Sequence, residues 1–347
     1  MEALVKYDKG PGHVRLQEMP EPLIEPGRVI MEVNSCGICG TDLHVYHDTF
    51  KNYPPVILGH EFSGRIVDKG RNTDGVEVGQ RFSVLGALAV QCGQCEYCHS
   101  GEFMFCKAKR GMGHGVHGAF TRYVSVRPDQ LYATGTHVSD DISALVEPFA
   151  VAVHAVGEVA QLRFGDTVLL SGPGPIGMLC LKLLLAQGIK TLVVGTGQDA
   201  DRLSTAERWG CHRTIVADKE DVEAVVMEET RGRGVDIAFE TAGAQGSVGN
   251  CLRVLRPLGQ YIQVGHFGRD ISVPFDLSAF RQLNIKGSVG YTRATWLRAI
   301  EIIDQGRIEL SDIITHRLPL SDWKNGFEQL EAKSALKVLL YPNGPKS

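Results

Sequence analysis

"DTVLLSGPGPIGMLCLKLLLAQG", residues 166–188, passes from a strand-like pattern to a helical one across a single glycine-rich turn. The run Val168–Leu170 is continuously apolar, as in a strand buried on both faces, and an apolar-faced helix follows from Pro175 until Gly188 stops it. Between them Gly172, Gly174 and Gly177 stand in the register G-x-G-x-x-G. In a chain with 40 glycines the triplet alone means little. Its place, directly after a strand and at the start of a helix, gives it meaning. Glycine lets the backbone turn tightly and approach a pyrophosphate, whose charge then meets free N–H groups at the helix N-terminus. Pro175 and Ile176 open that helix.

The pattern continues downstream. "TLVVG", "TIVA", "GVDIAFETAG" and "GQYIQVG" read as further strands, and "NIKGSVGY" as the last. "DADRLSTAERWG", "KEDVEAVVMEET" and "QGSVGNCLRVLRP" read as helices between them. Strand and helix alternating in this way predict an α/β doubly wound parallel sheet over residues 151–289, a Rossmann domain. Residues 1–150 have another grammar: short β-runs such as "RVIMEVNSCG" and "GAFTRYVSV", broken by "EPG", "YPP" and "GHG". They predict a β-rich, partly open barrel with long loops. Residues 290–347 add two amphipathic helices and the strand "LKVLLYP", which is expected to return to the first domain and complete it.

An NAD site places an acid about 20 residues beyond the glycines to grip the adenosine ribose. Here the second strand ends "VVGTGQDADRL", with Gly197 at that position. The missing carboxylate leaves room for the 2′-phosphate of NADP, whereas Asp199 and Asp201 would repel it and Arg202 could balance one of them. NAD is favoured and NADP stays open.

With 347 residues, a net charge of −4 and a pI near 6.3, the chain is long enough for two domains and presents no basic surface for nucleic acid. "CKAKRG" (106–111) is the one basic cluster and reads as a solvated loop. No apolar run approaches the roughly 18 residues of a membrane span, and the N-terminus has no leader character. A cytoplasmic protein is expected. Nine cysteines there would be reduced; Cys180, Cys211 and Cys251 suit simple burial.

Four of the nine, Cys92, Cys95, Cys98 and Cys106, fall within "QCGQCEYCHSGEFMFC" (91–106). Four thiolates on one loop can close a tetrahedron around Zn²⁺ and leave no open position, so the site staples the loop and does no chemistry. A second, dispersed set comprises Cys36, Cys39, Thr41, Asp42 and His44 in "SCGICGTDLH", His60 and Glu61 in "LGHEFSG", and Glu147 and His154 in "LVEPFAVAVH". Sulfur, nitrogen and oxygen ligands from separate loops are how a catalytic zinc keeps a position for water or substrate.

Taken in order, "GICGTDLH", "GHE", the four-cysteine loop, "VEP" and "GPGPIG" resemble the zinc-dependent medium-chain dehydrogenases, nearest their polyol (sorbitol-type) and threonine branch. The resemblance spans nearly the whole chain and implies a GroES-like catalytic domain beside the Rossmann domain. It implies Cys39, His60 and an acid as catalytic zinc ligands, with Cys36 a buried neighbour; Glu61 and Glu147 both match acidic positions, and which touches the metal stays open. It also implies Thr41 and His44 as a proton relay. Further cofactor contacts are implied at Pro175 and Ile176 in the glycine loop, at Gly197 and Arg202 after the second strand, at Val264, Gly265 and His266 ("VGH") and at Val289, Gly290 and Tyr291 ("VGY").

The expected activity is hydride transfer from a secondary alcohol, a polyol or sugar alcohol, to NAD(P). Two zinc ions per chain and a homodimer or homotetramer are expected with it. Sorbitol-type enzymes carry an arginine where this chain has Gly290, while threonine-type enzymes have glycine there but aspartate in place of Glu147. A threonine 3-dehydrogenase-like activity is therefore the alternative, and a non-catalytic, zinc-stabilised nucleotide sensor is a third. His114 and His117, in "RGMGHGVHGAF", either line the substrate pocket or belong to a flexible, solvated loop.

Overall fold

In the computed structural model, which describes residues 1–344, the chain divides into two compact units. The first comprises residues 1–147, 292–331 and the chain from 337; the second comprises 148–291 and 332–336.

The second unit is built on the strands Thr167–Ser171, Lys190–Gly195, Arg213–Val216, Val235–Glu240, Leu255–Gln263 and Asn284–Gly287. All neighbouring pairs are parallel. Counted in chain order, the strands lie 3-2-1-4-5-6 across the sheet, the order of a Rossmann fold. Thr167–Ser171 is buried at every position because helices Pro175–Ala186 and Gln245–Val254 pack on it; this is why its sequence is a continuous apolar run and does not alternate. The strand order reverses beside this first strand, between it and Val235–Glu240. A crevice opens there at the carboxyl ends of the strands, where such sheets bind their ligands.

The first unit holds a three-stranded sheet (Val14–Glu18, Glu2–Lys6, Val56–Ile57) and a seven-stranded one. In the larger sheet the central strand Val29–Gly37 pairs antiparallel with Glu61–Lys69 on one side and with the returning strand Lys337–Tyr341 on the other. The register sets Gly37 opposite both Glu61 and Leu339. Three remote segments thereby deliver Cys39, Glu61 and Lys337 to one end of one sheet. Gly37 is needed for this, since a Cβ there would lie 2.3 Å from Glu61 Oε2.

Candidate active site

Cys39 caps the short helix Gly40–Tyr46, and its N–H donates to Asp42 Oδ2 at 2.9 Å. The other oxygen of this buried carboxylate accepts the N–H of Gly59 at 3.3 Å and lies 3.6 Å from His60 Nδ1. Asp42 thus ties the segment bearing Cys39 to the one bearing His60. The result is a thiol, an imidazole and a carboxylate, from Cys39, His60 and Glu61, whose donor atoms all lie within 4.8 Å of one another. His60 Nδ1 is buried and makes no hydrogen bond. A buried ring nitrogen without a partner is costly, and a metal ion bound by this mixed donor set would remove that cost. The residues fit zinc. Cys36 is buried, its thiol pushed well up by desolvation and by the Asp42 and Glu61 charges; it is a packing residue.

Glu61 is fully buried and receives both of its oxygens' hydrogen bonds from one ammonium, Lys337 Nζ, at 2.6 and 2.9 Å. Lys337 also donates to the carbonyl of Ile38 at 3.1 Å. Burial would lower the lysine's pKa, yet Glu61 and Cys39 together hold it above its ordinary value. Glu147, at the start of helix Val146–Val153, stays outside the group of three, while its charge reaches both Lys109 and Lys337. Thr41 and His44 sit three residues apart on the helix Gly40–Tyr46, hence on neighbouring turns of one face, and His44 Nδ1 lies 2.9 Å from the hydroxyl of Thr49.

The glycine-rich loop after the four cysteines turns its glycines inward while His117 stays exposed. Gly111, Gly113, Gly115 and Gly118 are buried, and a Cβ on Gly118 would lie 2.1 Å from the carbonyl oxygen of Gly59, next to His60. Burial, then the charges of His60 and Lys109, push His114 down to about 3, so it is neutral; its ring packs edge-on against Phe50. His117 is exposed; its Nδ1 accepts the N–H of Ile57 at 3.2 Å, and partial desolvation lowers its pKa.

The sulfurs of Cys92, Cys95, Cys98 and Cys106 form a second group within 4.8 Å. Cys95 and Cys98 approach to 3.5 Å, and the N–H groups of Cys92 and Gln94 point at the sulfurs of Cys106 and Cys92. Hydrogen bonds from the Gln94 and Cys95 backbone bring the Cys92 thiol down to about 6. N–H groups directed at sulfur favour thiolates, the form a metal requires.

In the second unit a cavity of about 590 Å³ is lined by Gly172, Gly174, Thr196, Asp218, Ala242 and further residues at the carboxyl ends of the strands. Gly172 takes φ = +109°, a conformation that L side chains rarely adopt. A Cβ on Gly177 would lie 2.0 Å from the Gly172 carbonyl oxygen, whereas one on Gly174 would meet nothing within 4 Å. The first glycine makes the turn, the third packs against it, and the second leaves open space, which is the division of labour a pyrophosphate cradle needs. The residues fit a dinucleotide. Val264–His266 and Val289–Tyr291 follow the fifth and sixth strands and stand outside this cavity's lining; Tyr291 is buried and Val289 is exposed.

Residues 25–136 match the alcohol dehydrogenase GroES-like domain, and residues 175–305 match the zinc-binding dehydrogenase family. The chain is 34% identical to a sorbitol dehydrogenase of Halalkalibacterium halodurans, over 99% of each chain. It belongs to the zinc-binding dehydrogenases. A D-arabitol-phosphate dehydrogenase of Enterococcus avium is 33% identical over 99% of this chain and 98% of its own length. A zinc-binding dehydrogenase from Sinorhizobium meliloti, solved with NADP bound, superposes with a TM-score of 0.89 at 28% identity, covering 98% and 99% of the two chains. This dehydrogenase is thus a zinc-dependent, NAD(P)-linked oxidoreductase acting on CH–OH groups, with a GroES-like domain and a Rossmann domain.

Lys337 and Asp218 escape a sequence reading of this dehydrogenase. Lys337 sits in "LKVLLYP", where it looks like the polar first residue of a strand, and only the sheet register carries it to Glu61. Arg202 was visible, but its guanidinium is occupied: it donates to the Ala335 carbonyl at 3.2 Å and faces Asp199 at 3.5 Å. No helix among the described residues is long and apolar enough to cross a membrane.

Proposed function

We propose that this dehydrogenase oxidises a secondary hydroxyl of a polyol or polyol derivative to the ketone, with NAD⁺ as acceptor. The observation that carries it is the mixed donor set of Cys39, His60 and Glu61 closed up within 4.8 Å, beside a helix presenting Thr41 and His44. Sorbitol and arabitol-phosphate dehydrogenases among the relatives support a hydroxylated substrate.

Cys39 and His60 hold the catalytic zinc, with Glu61 as the nearest acid and Glu147 contributing charge from farther out. When bound, the ion supplies Lewis acidity that makes a substrate hydroxyl acidic near neutral pH, and the nicotinamide supplies the hydride acceptor. Lys337, donating to both oxygens of Glu61, fixes that carboxylate in place. The Thr41 hydroxyl takes the substrate proton as it releases its own, and the His44 imidazole carries the released proton outward. Neutral His114, packed on Phe50 and the loop before His60, adds no competing cation. Cys92, Cys95, Cys98 and Cys106 hold the second zinc and keep their loop in shape. The Gly172–Gly177 turn with Pro175 and Ile176 seats the pyrophosphate, and Val264–His266 with Val289–Tyr291 complete the cofactor site.

A cytoplasmic homo-oligomer is part of this reading, supported by nine free cysteines and by the exposed apolar side chains of Phe280, Ile285 and Leu258 at the edge of the sheet that ends in Asn284–Gly287. The test is a steady-state panel of free polyols, polyol phosphates, 2,3-diols and L-threonine with each nicotinamide, followed at the reduced-nicotinamide absorbance. Polyols or their phosphates should give the highest kcat/KM. A preference for L-threonine would replace this assignment, and no turnover on any member would return the chain to a nucleotide-binding regulator.

A further inference from the structure

In an NAD site an acid ending the second parallel strand grips the adenosine ribose, and here that strand runs into Gly195, Thr196 and Gly197 without one. The acids next in sequence are not available for the task. Asp199 is buried, and one of its oxygens accepts the Thr196 N–H at 3.0 Å, the Thr196 hydroxyl at 2.7 Å and the Lys333 ammonium at 3.1 Å. Its other oxygen faces the Arg202 guanidinium. Asp201 lies on the exposed side of the helix Ala200–Trp209, away from the cavity lining.

Asp218 arrives from a different strand. It follows Arg213–Val216, the sheet's third strand in chain order, and its Oδ1 accepts the N–H of Gly197 at 2.8 Å. Its Oδ2 lies 3.0 Å from where a Gly197 Cβ would stand. A carboxylate therefore rests on the tip of the second strand, over the backbone of the residue that should have carried one. Asp218 is exposed, lines the 590 Å³ cavity with Gly195 and Thr196, and Oδ2 makes no hydrogen bond among the described residues. Glycine at 197 is what makes the arrangement possible, because any side chain there would contest the space with Oδ2.

We propose that Asp218 is the ribose-binding acid of this dehydrogenase and makes it selective for NAD(H) over NADP(H). This rests on the dinucleotide reading of the cavity. With Oδ1 steadied by Gly197, the carboxylate has acceptor sites left for the adenosine 2′- and 3′-hydroxyls. A 2′-phosphate would bring two negative groups together at a carboxylate with no cation paired to it among the described residues; of the three cations that line the cavity, Lys333 and Arg202 are engaged by Asp199, and Arg253 is the third. A hydrogen bond to a charged group corresponds to roughly 10- to 100-fold in affinity, so discrimination should be of that order.

Calorimetric titration of the zinc-loaded enzyme with NADH and with NADPH reads this without turnover. Wild type should bind NADH at least roughly tenfold more tightly. Asp218→Asn keeps size and shape but loses the charge and one acceptor; it should weaken NADH and strengthen NADPH, so that the ratio collapses. Asp201→Asn, one neighbouring charge removed, should leave the ratio near its wild-type value. A wild type that prefers NADPH overturns the assignment, as does an Asp218→Asn variant in which both affinities move together. Failure of wild type to bind either dinucleotide sinks the dinucleotide reading of the cavity itself, a distinct result.

Discussion

At the scale of single residues, the Glu61–Lys337 pair joins positions 276 apart in sequence and is sealed from solvent on both sides. A buried ion pair is weak support for stability as a pair, but removing one partner leaves an uncompensated charge in a low dielectric. Lys337→Met should therefore destabilise the zinc-loaded protein by about 3–5 kcal/mol. The double variant with Glu61→Gln should recover a good part of that loss. Urea denaturation of wild type and the three variants measures the coupling, and equal losses in the single and double variants would show that charge is not what joins them. Asp236 makes the complementary case for pH. Its carboxylate, nearly buried, accepts from the Thr167 N–H at 2.8 Å, Arg256 at 2.7 Å and Arg233 at 2.6 Å. Burial would raise its pKa, but those three donors together hold it below the ordinary value. A pKa lower in the folded than in the unfolded state stabilises above the unfolded value, near 4, and that stability is lost as pH falls through the folded value. Asp236→Asn should cost about 1–2 kcal/mol at neutral pH, the arginines being partly solvated. The gap to wild type in chemical denaturation should then close as the pH is taken below roughly 4.

At the scale of elements, the glycine turn and the cysteine loop can each be broken separately. Gly177→Ala puts a Cβ 2.0 Å from the Gly172 carbonyl oxygen, a backbone atom that cannot swing aside. The turn must open, so KM for the dinucleotide should rise by roughly tenfold or more while KM for the alcohol changes little. Equal rises in both would mean that the turn does not seat the cofactor. Cys95→Ser opens the four-sulfur group without touching Cys39 or His60. Metal analysis should then find about one zinc per chain in place of two, and limited proteolysis should cut within residues 91–106. These elements were legible in the sequence for a physical reason: a buried parallel strand, a glycine turn and a closely spaced ligand set are all local patterns. The loop around Gly113 leaves two readings open in the sequence because its buried glycines answer to a remote surface, the segment before His60, that local composition does not describe.

At the scale of the whole molecule, alternation of strand and helix was enough to call for a parallel sheet, and the 3-2-1-4-5-6 order is what right-handed crossovers make of it. What stayed hidden are contacts made by register and by strand order. Lys337 meets Glu61 only because two strands flank Val29–Gly37, and Asp218 meets Gly197 only because the second and third parallel strands are neighbours. The same sheet presents two edges of unlike character. At one, Arg213 pairs with Glu220, a charged edge of the kind that resists further pairing. At the other, Ile285 lies on the edge strand Asn284–Gly287 and is 38% exposed, with Phe280 at 85% and Leu258 at 63% nearby; Leu258 is tied to this end by its N–H on the Arg281 carbonyl. Exposed apolar side chains at an open sheet edge are an aggregation hazard unless something covers them, and a second copy joined about a two-fold axis covers them with the same surface. Light scattering at micromolar concentration should therefore give at least a dimer. The Phe280→Asp/Ile285→Lys variant, with charge placed on both sides of the contact, should shift to monomer and lose thermal stability in proportion to protein concentration. A monomeric wild type, or a variant that assembles as before, would move the subunit contact to another face.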